Sequence, residues 1–217
     1  MRDAGKFLSD HVTIQNGQAV TSGGGIRSKG NLNLAASIIV SNTVTTFGGG
    51  IEAMIGNTVL SHVTIAFNSA TGVGALGGGI YNFASPLTVT NSTLSGNRAG
   101  GSGGGLFNYG GPVDLNNVTI TNNTADSNND GNGDGGGIGD LPYWVSIRIK
   151  NTLVAGNADL SGGAPDCSAA AGLNAQGYNL IQDISGCIIT GDATGHITGV
   201  DAGLGPLQDN GGSTPTH

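Results

Sequence analysis

Apolar and polar residues alternate along this chain in short runs that recur about every 25 to 30 residues. Val12-Thr13-Ile14, Val63-Thr64-Ile65 and Val118-Thr119-Ile120 each read apolar–polar–apolar. A second alternation, such as Leu87-Thr88-Val89, precedes these runs, and an aliphatic residue at positions 26, 51, 80, 106 and 138 begins a third. A period of two is typical of half-buried strands, so each repeat is predicted to carry three short strands.

Two further columns share this period. A Gly-Gly-Gly triplet precedes each of the five aliphatic residues at positions 26 to 138, and an asparagine follows most of the Val-Thr-Ile-like runs (Asn42, Asn68, Asn97, Asn123, Asn157). Glycine permits a positive φ or a close backbone approach, which places the triplets at corners. Asparagine tolerates the left-handed conformation of a tight corner, and stacked amides form ladders. A flexible linker is the alternative for the triplets, but linkers do not repeat in register with aliphatic columns.

These patterns predict an all-β, single-stranded, right-handed parallel β-helix, with about 25–30 residues and three strands per coil. Residues 1–163 are expected to form the coils. Residues 164–217 break the pattern and are expected to form an irregular C-terminal cap. The two cysteines, Cys167 and Cys187, fit one disulfide within this cap and an oxidising compartment; two buried thiols are the alternative.

Composition excludes several classes of function. Of 217 residues 42 are glycine, but the regular Val, Ile and Leu positions argue against disorder. The formal net charge of −7, with seven Lys and Arg spread thinly, leaves no basic stripe for nucleic acid. No apolar run is long enough for a membrane helix.

The Gly-Gly-Gly-Ile/Leu coils with their Val-Thr-Ile and Asn columns resemble right-handed parallel β-helix repeats of bacterial surface and secreted proteins, including polymorphic outer-membrane proteins. Gly177-Tyr178-Asn179-Leu180-Ile181 and the stretch from Gly205 to Gly212 are similar to the segment after such β-helices in choice-of-anchor proteins. The resemblance implies an extracellular or cell-surface location, with signal and anchor outside this chain. Because the matched columns are structural ones, the resemblance indicates the fold and says little about activity.

An insertion before the last triplet matches the start of a calcium loop. Asp126, Asn128, Asp130 and Asp134 place oxygen ligands at alternate positions around Gly131. Gly137 stands where the bidentate glutamate of such loops belongs. Calcium is therefore predicted as a cofactor, and a solvated Asn/Asp/Gly loop is the alternative.

A charged patch is the candidate catalytic site. The column alignment places Asp114 beside Arg148 and Asn116 beside Lys150, with Asp140 expected nearby. Parallel β-helices resembling pectate lyases use acidic calcium ligands and a basic residue on such a face, which implies Arg148 or Lys150 as the base. A surface ion pair is the alternative interpretation.

Aromatic residues supply the third candidate. Tyr81 and Phe107 share one column, Phe83 and Tyr109 share another, and Tyr143-Trp144 follow in the next coil. Such rings could bind the apolar faces of sugars, or form a packed ladder that stiffens the coil.

The leading hypothesis is a secreted or cell-surface β-helix module for adhesion or display that contacts a polysaccharide or cell-surface glycan. A polysaccharide lyase or glycoside hydrolase working on the outer sheet face is the alternative, and a non-catalytic carbohydrate-binding module is the second. We expect a monomer, or a weak dimer formed by end-to-end pairing of coils.

Overall fold

The computed structural model describes residues 6–141 and 147–217, and this part of the chain contains strands and loops but no helix. Parallel strands stack as a β-solenoid of about six turns, of the right-handed type. The predicted fold class is confirmed. In chain order the strands are β1 Lys6–Asp10, β2 Thr13–Gln15, β3 Gln18–Ala19, β4 Ile26–Ser28, β5 Asn31–Ala35, β6 Ile38–Val40, β7 Thr43–Val44, β8 Ile51–Ala53, β9 Thr58–Ser61, β10 Thr64–Ala66, β11 Ser69–Ala70, β12 Ile80–Asn82, β13 Leu87–Ser95, β14 Arg98–Ala99, β15 Leu106–Asn108, β16 Val113–Thr121, β17 Thr124–Ala125, β18 Ile138–Asp140, β19 Ile147–Lys150, β20 Leu153–Ala155, β21 Ala158–Asp159, β22 Cys167–Gln176, β23 Leu180–Ile181, β24 Cys187–Asp192 and β25 Ile197–Thr198.

The register places each aliphatic column in a continuous internal stack. Ile39 pairs with Ile65, Ile65 with Leu94, and Leu94 with Ile120. These side chains are fully buried and belong to one core that runs the length of the solenoid. No single coil could cover its own apolar face, so the stacking itself supplies the hydrophobic stabilisation.

Each complete coil has a fourth strand that the sequence did not predict. The two-residue strands β3, β7, β11, β14, β17 and β21 follow the asparagine column and form a separate six-stranded parallel sheet. Two residues cannot display a period of two, which explains why alternation missed them. Val44 and Ala70 from this sheet form a small second core with Ala75.

The asparagine ladder is present, but its backbone conformation differs from the prediction. The buried asparagine column (Asn42, Asn68, Asn97, Asn123, Asn157) lies inside the coil, and none of its members has a positive φ. The left-handed residue is the one before it, such as Phe67 or Asn122, with φ of 54° and 57°. Each amide donates to the Oδ1 atom of the next, for example Asn97 Nδ2 to Asn123 Oδ1 at 2.9 Å. Asparagine is therefore favoured in this column by its buried hydrogen bonds inside the coil, and not by the backbone conformation of a corner.

The glycine triplets serve the corner predicted for them. In Gly103-Gly104-Gly105 the first residue has φ of 70°. A Cβ on Gly105 would lie 2.6 Å from the Gly137 oxygen and 3.1 Å from Asn123 Nδ2. The third glycine is thus required chiefly because the backbone of the next coil approaches closely, with the buried asparagine column also packed against it.

Strands continue beyond residue 164, where the cap was expected. β22 pairs with β18 and β19, and β24 pairs with β22, so this region extends the same parallel ladders. Asp166 ends the asparagine ladder by accepting hydrogen bonds from Asn157 N and Nδ2. Cys167 and Cys187 form a disulfide, with Cα atoms 5.3 Å apart.

Candidate functional site

The two aromatic columns differ in exposure. Tyr81 and Phe107 stack with ring centroids 6.1 Å apart, but both are buried. Burial, the neighbouring Tyr109 and Glu52 raise the pKa of Tyr81 to about 12. Tyr81 and Phe107 therefore pack as an aromatic ladder, with Phe47 stacked on Tyr81 at 4.8 Å.

Phe47 was missed because it precedes a glycine triplet instead of following one, so it occupies a different position in the repeat. An isolated bridge aligns it with Ser22 and Leu76, a column that carries no recurring residue type. Its contact with Tyr81 arises from the turn geometry, which periodicity does not reveal.

Phe83 and Tyr109 form the exposed aromatic pair. Their rings stack at 5.0 Å with an interplanar angle of 19°, and the residues are 40% and 37% exposed. Together with Ala84 and Gly110 they line an open depression of about 380 Å³. Since planes in contact are about 3.5 Å apart, a 5.0 Å centroid distance implies a lateral offset of about 3.6 Å. Each of the two residues thus remains more than a third exposed despite the stacking.

Tyr143 and Trp144, the remaining aromatic candidates, lie outside the described residues. Their predicted part in a sugar-binding surface stays a prediction.

The charged patch has the register predicted for it. Asp114 pairs with Arg148 and Asn116 with Lys150 on the outer face of β16 and β19. The Arg148 guanidinium donates through both Nε and Nη2 to the two carboxylate oxygens of Asp114, the second at 2.6 Å. These contacts raise the pKa of Arg148 above its ordinary value and so favour the charged guanidinium. The predicted role of Arg148 or Lys150 as a base stays a prediction.

The surroundings of the pair form an open surface. Asp114, Arg148, Lys150 and Gln176 line a depression of about 360 Å³, and both members of the ion pair are exposed. Exposed pairs of this kind contribute little to stability because water and salt screen them.

Asp140 belongs to a different part of the coil. It ends β18, in register with Asn108, and is almost completely buried. Its Oδ1 atom accepts a hydrogen bond from Ala170 N at 2.6 Å, whereas Oδ2 is buried and without a hydrogen-bond partner in the described structure. Burial raises the pKa of Asp140 to about 6, although the amides of Ala170 and Ala171 oppose this shift. No described contact joins Asp140 to Asp114, Arg148 or Lys150.

The predicted calcium loop is closed by its own hydrogen bonds. The buried Asp126 carboxylate accepts from the backbone amides of Asp130 and Gly131 at 2.9 and 3.1 Å. The Asp130 carboxylate in turn accepts from Asn128 Nδ2 and from Asn132. Partial burial, and secondarily the nearby Asp159 carboxylate, raise the pKa of Asp134. Within residues 6–141 and 147–217, no three Asp, Glu, His or Cys side chains converge as metal ligands.

Comparison of the chain with protein-family models, with curated proteins and with solved structures found no significant match. The structure supports a β-helix repeat protein at the level of the fold. None of the described residues belongs to a helix long and apolar enough to cross a membrane.

Proposed function

We propose that this protein is a secreted or cell-surface β-helix module for adhesion or display, and that it contacts carbohydrate through Phe83 and Tyr109. The offset stack of two partly exposed rings, which line an open depression, is the observation that carries the proposal. Accessible aromatic rings bind apolar surfaces such as the faces of sugar rings. Ala84 and Gly110 are small enough to leave room beside the rings.

The scaffold supports a display role because its regular residues already have structural tasks. The aliphatic columns fill the core, the buried asparagine column satisfies backbone groups, and the glycine triplets accommodate it. A stack of identical coils is rigid and holds surface side chains at fixed spacing. The disulfide between Cys167 and Cys187 fits an oxidising, extracellular location. The resemblance to bacterial surface β-helices points the same way.

Polysaccharide lyase or hydrolase activity is the weaker candidate. An active site needs an acid, a base and a bound substrate along one path. The bidentate contact with Asp114 occupies Arg148, and Asp140 is buried at the end of another strand. Lys150 is the remaining exposed cation of this patch. Calcium binding at the Asp126–Asp134 loop stays a prediction. To bind the ion, the Asp126 carboxylate would have to give up the hydrogen bonds that it accepts from the backbone amides of Asp130 and Gly131.

A polysaccharide-binding screen tests the proposal. Wild type, the double variant Phe83→Ala/Tyr109→Ala and the control Phe67→Ala are run through gels containing acidic or neutral polysaccharides. Phe67 is 57% exposed at another corner, so the control removes a ring that is more accessible than Phe83 or Tyr109. We expect the double variant to lose at least about tenfold in affinity, since each stacked ring contributes on the order of 1 kcal/mol.

The control should remain within about twofold of wild type, in keeping with the small effects of distant surface substitutions. If the wild type and the double variant were retarded equally in every polysaccharide gel, the proposal would be contradicted. Reducing-sugar and unsaturated-product assays on the same mixtures test the enzyme alternative, for which a product that disappears in Lys150→Ala would be decisive.

A further inference from the structure

The last part of the chain runs back along the solenoid. After β25, Asp201, Ala202 and Leu204 lie beside Thr121 and Ala155, where they enclose a pocket of about 100 Å³. His217, which also contacts Gly205, lies next to Ser95, and Pro215 reaches Thr64. We call residues 201–217 the strap. It therefore crosses the turns in the direction opposite to chain growth.

The strap covers a row of side chains that point outward. Thr64, Thr93, Ser95 and Thr121, called here the hydroxyl row, occupy the outer positions of β10, β13 and β16 and are all buried. Thr13, in the same column two turns before Thr64, is exposed. Thr13 lies on β2, which pairs only with β6, whereas β10 has strand neighbours on both sides. Outward positions of an uncovered parallel strand should nevertheless be accessible, so we attribute the complete burial of the hydroxyl row to the strap.

Few contacts hold the strap. Thr64 Oγ1 donates to the Pro215 oxygen at 2.7 Å, Thr214 Oγ1 donates to the His62 oxygen at 3.4 Å, and Ser95 Oγ lies 2.8 Å from His217 Nε2. His217 Nδ1 also lies 2.7 Å from the Gly205 oxygen, which ties the two ends of the strap together. No backbone–backbone hydrogen bond joins the strap to the body in the described structure, and Thr214 is its one buried residue.

Two glycines with positive φ lie where the strap leaves the body. Gly199 donates its amide to the Gln182 oxygen at 3.0 Å, the last backbone hydrogen bond to the body. Gly199 and Gly203 have φ of 72° and 60°, and no atom would contact a Cβ at either position. Glycine is therefore favoured at these two positions by the positive φ, and not by close packing of neighbouring atoms.

We propose that the strap is a displaceable cover, which opens locally and exposes the hydroxyl row while the solenoid stays folded. The strap has one buried residue and, apart from the bridge between Gln208 and Thr216 within it, no ladder hydrogen bonds; in particular none joins it to the body in the described structure. Each coil beneath it is instead paired on both sides. Segments with few buried contacts open at lower free energy than the cores they lie on. The device controls access to a flat face of hydroxyl groups that can both donate and accept hydrogen bonds.

Thiol labelling of the full chain tests this. Both native cysteines are in the disulfide, so one introduced cysteine is the only thiol. Thr93→Cys reports on the covered row, Thr13→Cys on the same column where it is open, and Ala70→Cys on a fully buried site away from the strap. We expect Thr93→Cys to react at least about 100-fold more slowly than Thr13→Cys and at least about 100-fold faster than Ala70→Cys.

Loosening the strap gives the matched comparison. Adding Thr64→Val and His217→Ala removes two of its contacts and should accelerate labelling of Thr93→Cys on the order of tenfold or more, with Ala70→Cys unchanged. Equal rates for Thr93→Cys and Ala70→Cys would overturn the proposal, since the row would then open only on global unfolding. Equal rates for Thr93→Cys and Thr13→Cys would overturn it too, since the strap would not cover the row. Thr121→Cys is the second reporter if Thr93→Cys fails to fold, as judged by circular dichroism.

Discussion

The buried asparagine column and the exposed corner column at positions 91, 117 and 151 share a residue type and a repeat length, and lie six residues apart in each coil. In the buried column asparagine is needed for the hydrogen bonds of its side chain. Asn123 Oδ1 accepts from Asn97 N and Nδ2 at 2.9 Å, while its Nδ2 donates to Leu94 O and Asn157 Oδ1. Each amide is fully hydrogen-bonded in a site that water does not reach.

In the corner column asparagine is favoured because it tolerates the left-handed backbone conformation. Asn91, Asn117 and Asn151 have φ of 48°, 61° and 48°, and all three are exposed. Their amides make hydrogen bonds at the surface, such as Asn117 Nδ2 to Asn91 Oδ1 at 2.8 Å. His62 and Ala36 occupy the same corner in earlier coils with φ of 54° and 44°, so the position requires a conformation and not an amide.

The difference shows that one residue type can recur for two unrelated reasons. A buried amide satisfies neighbours that no other side chain of its size can satisfy, whereas a corner amide merely tolerates a left-handed φ. Substitution with glycine separates the two, because glycine keeps the φ and removes the amide.

The largest effect is expected at the buried column. Asn123→Ala removes four hydrogen bonds and leaves Leu94 O and the amide of Asn97 without those partners. With about 1–3 kcal/mol for each unsatisfied buried group, we expect a loss of roughly 3–5 kcal/mol in the free energy of unfolding, measured by urea denaturation. Asn123→Gly should be at least as destabilising. A loss below about 1 kcal/mol for both variants would refute the ladder as a source of stability.

A smaller, pH-dependent effect is expected where an acid interrupts a row of amides. Asn82, Asn108 and Asp140 share one buried column, and Asn82 Nδ2 donates to Asn108 Oδ1 at 2.9 Å. Because the folded protein raises the pKa of Asp140 from 3.8 to about 6, it holds this proton more tightly than the unfolded chain. The stability from Asp140 is thus fully present below about pH 3.8 and is lost as the pH rises through 6.

Asp140→Asn should therefore stabilise the protein at pH 7.5 by roughly 2–3 kcal/mol, and should have little effect near pH 4. The difference between variant and wild type isolates this group, since the other carboxylates titrate in both. Urea denaturation at several pH values between 4 and 8 provides the measurement. A difference that does not change with pH would show that Asp140 is not held in its neutral form.

The repeat and the pairings that follow from its register were predictable from particular residues, whereas features outside the repeat were not. Alternation at Val63-Thr64-Ile65 and its equivalents fixes which side chains face the core, and the pairing of Asp114 with Arg148 follows from register. The two-residue strands, the stacking of Phe47 on Tyr81 and the path of the strap depend on contacts that have no repeat. Periodicity also could not tell which asparagine column has the left-handed φ, because both columns have the same spacing.

The smallest effect is expected at the corner column, and it provides the sharpest contrast with Asn123. Asn117→Gly keeps the left-handed φ of 61° without a steric penalty and loses one exposed hydrogen bond to Asn91. We expect a change within about 0.5 kcal/mol, whereas Asn117→Ala should cost about 1 kcal/mol because a Cβ is unfavourable there. The order of urea midpoints is then Gly above Ala at position 117, and Ala at or above Gly at position 123. If glycine and alanine have the same rank at both positions, the two columns do not differ in the way the structure indicates.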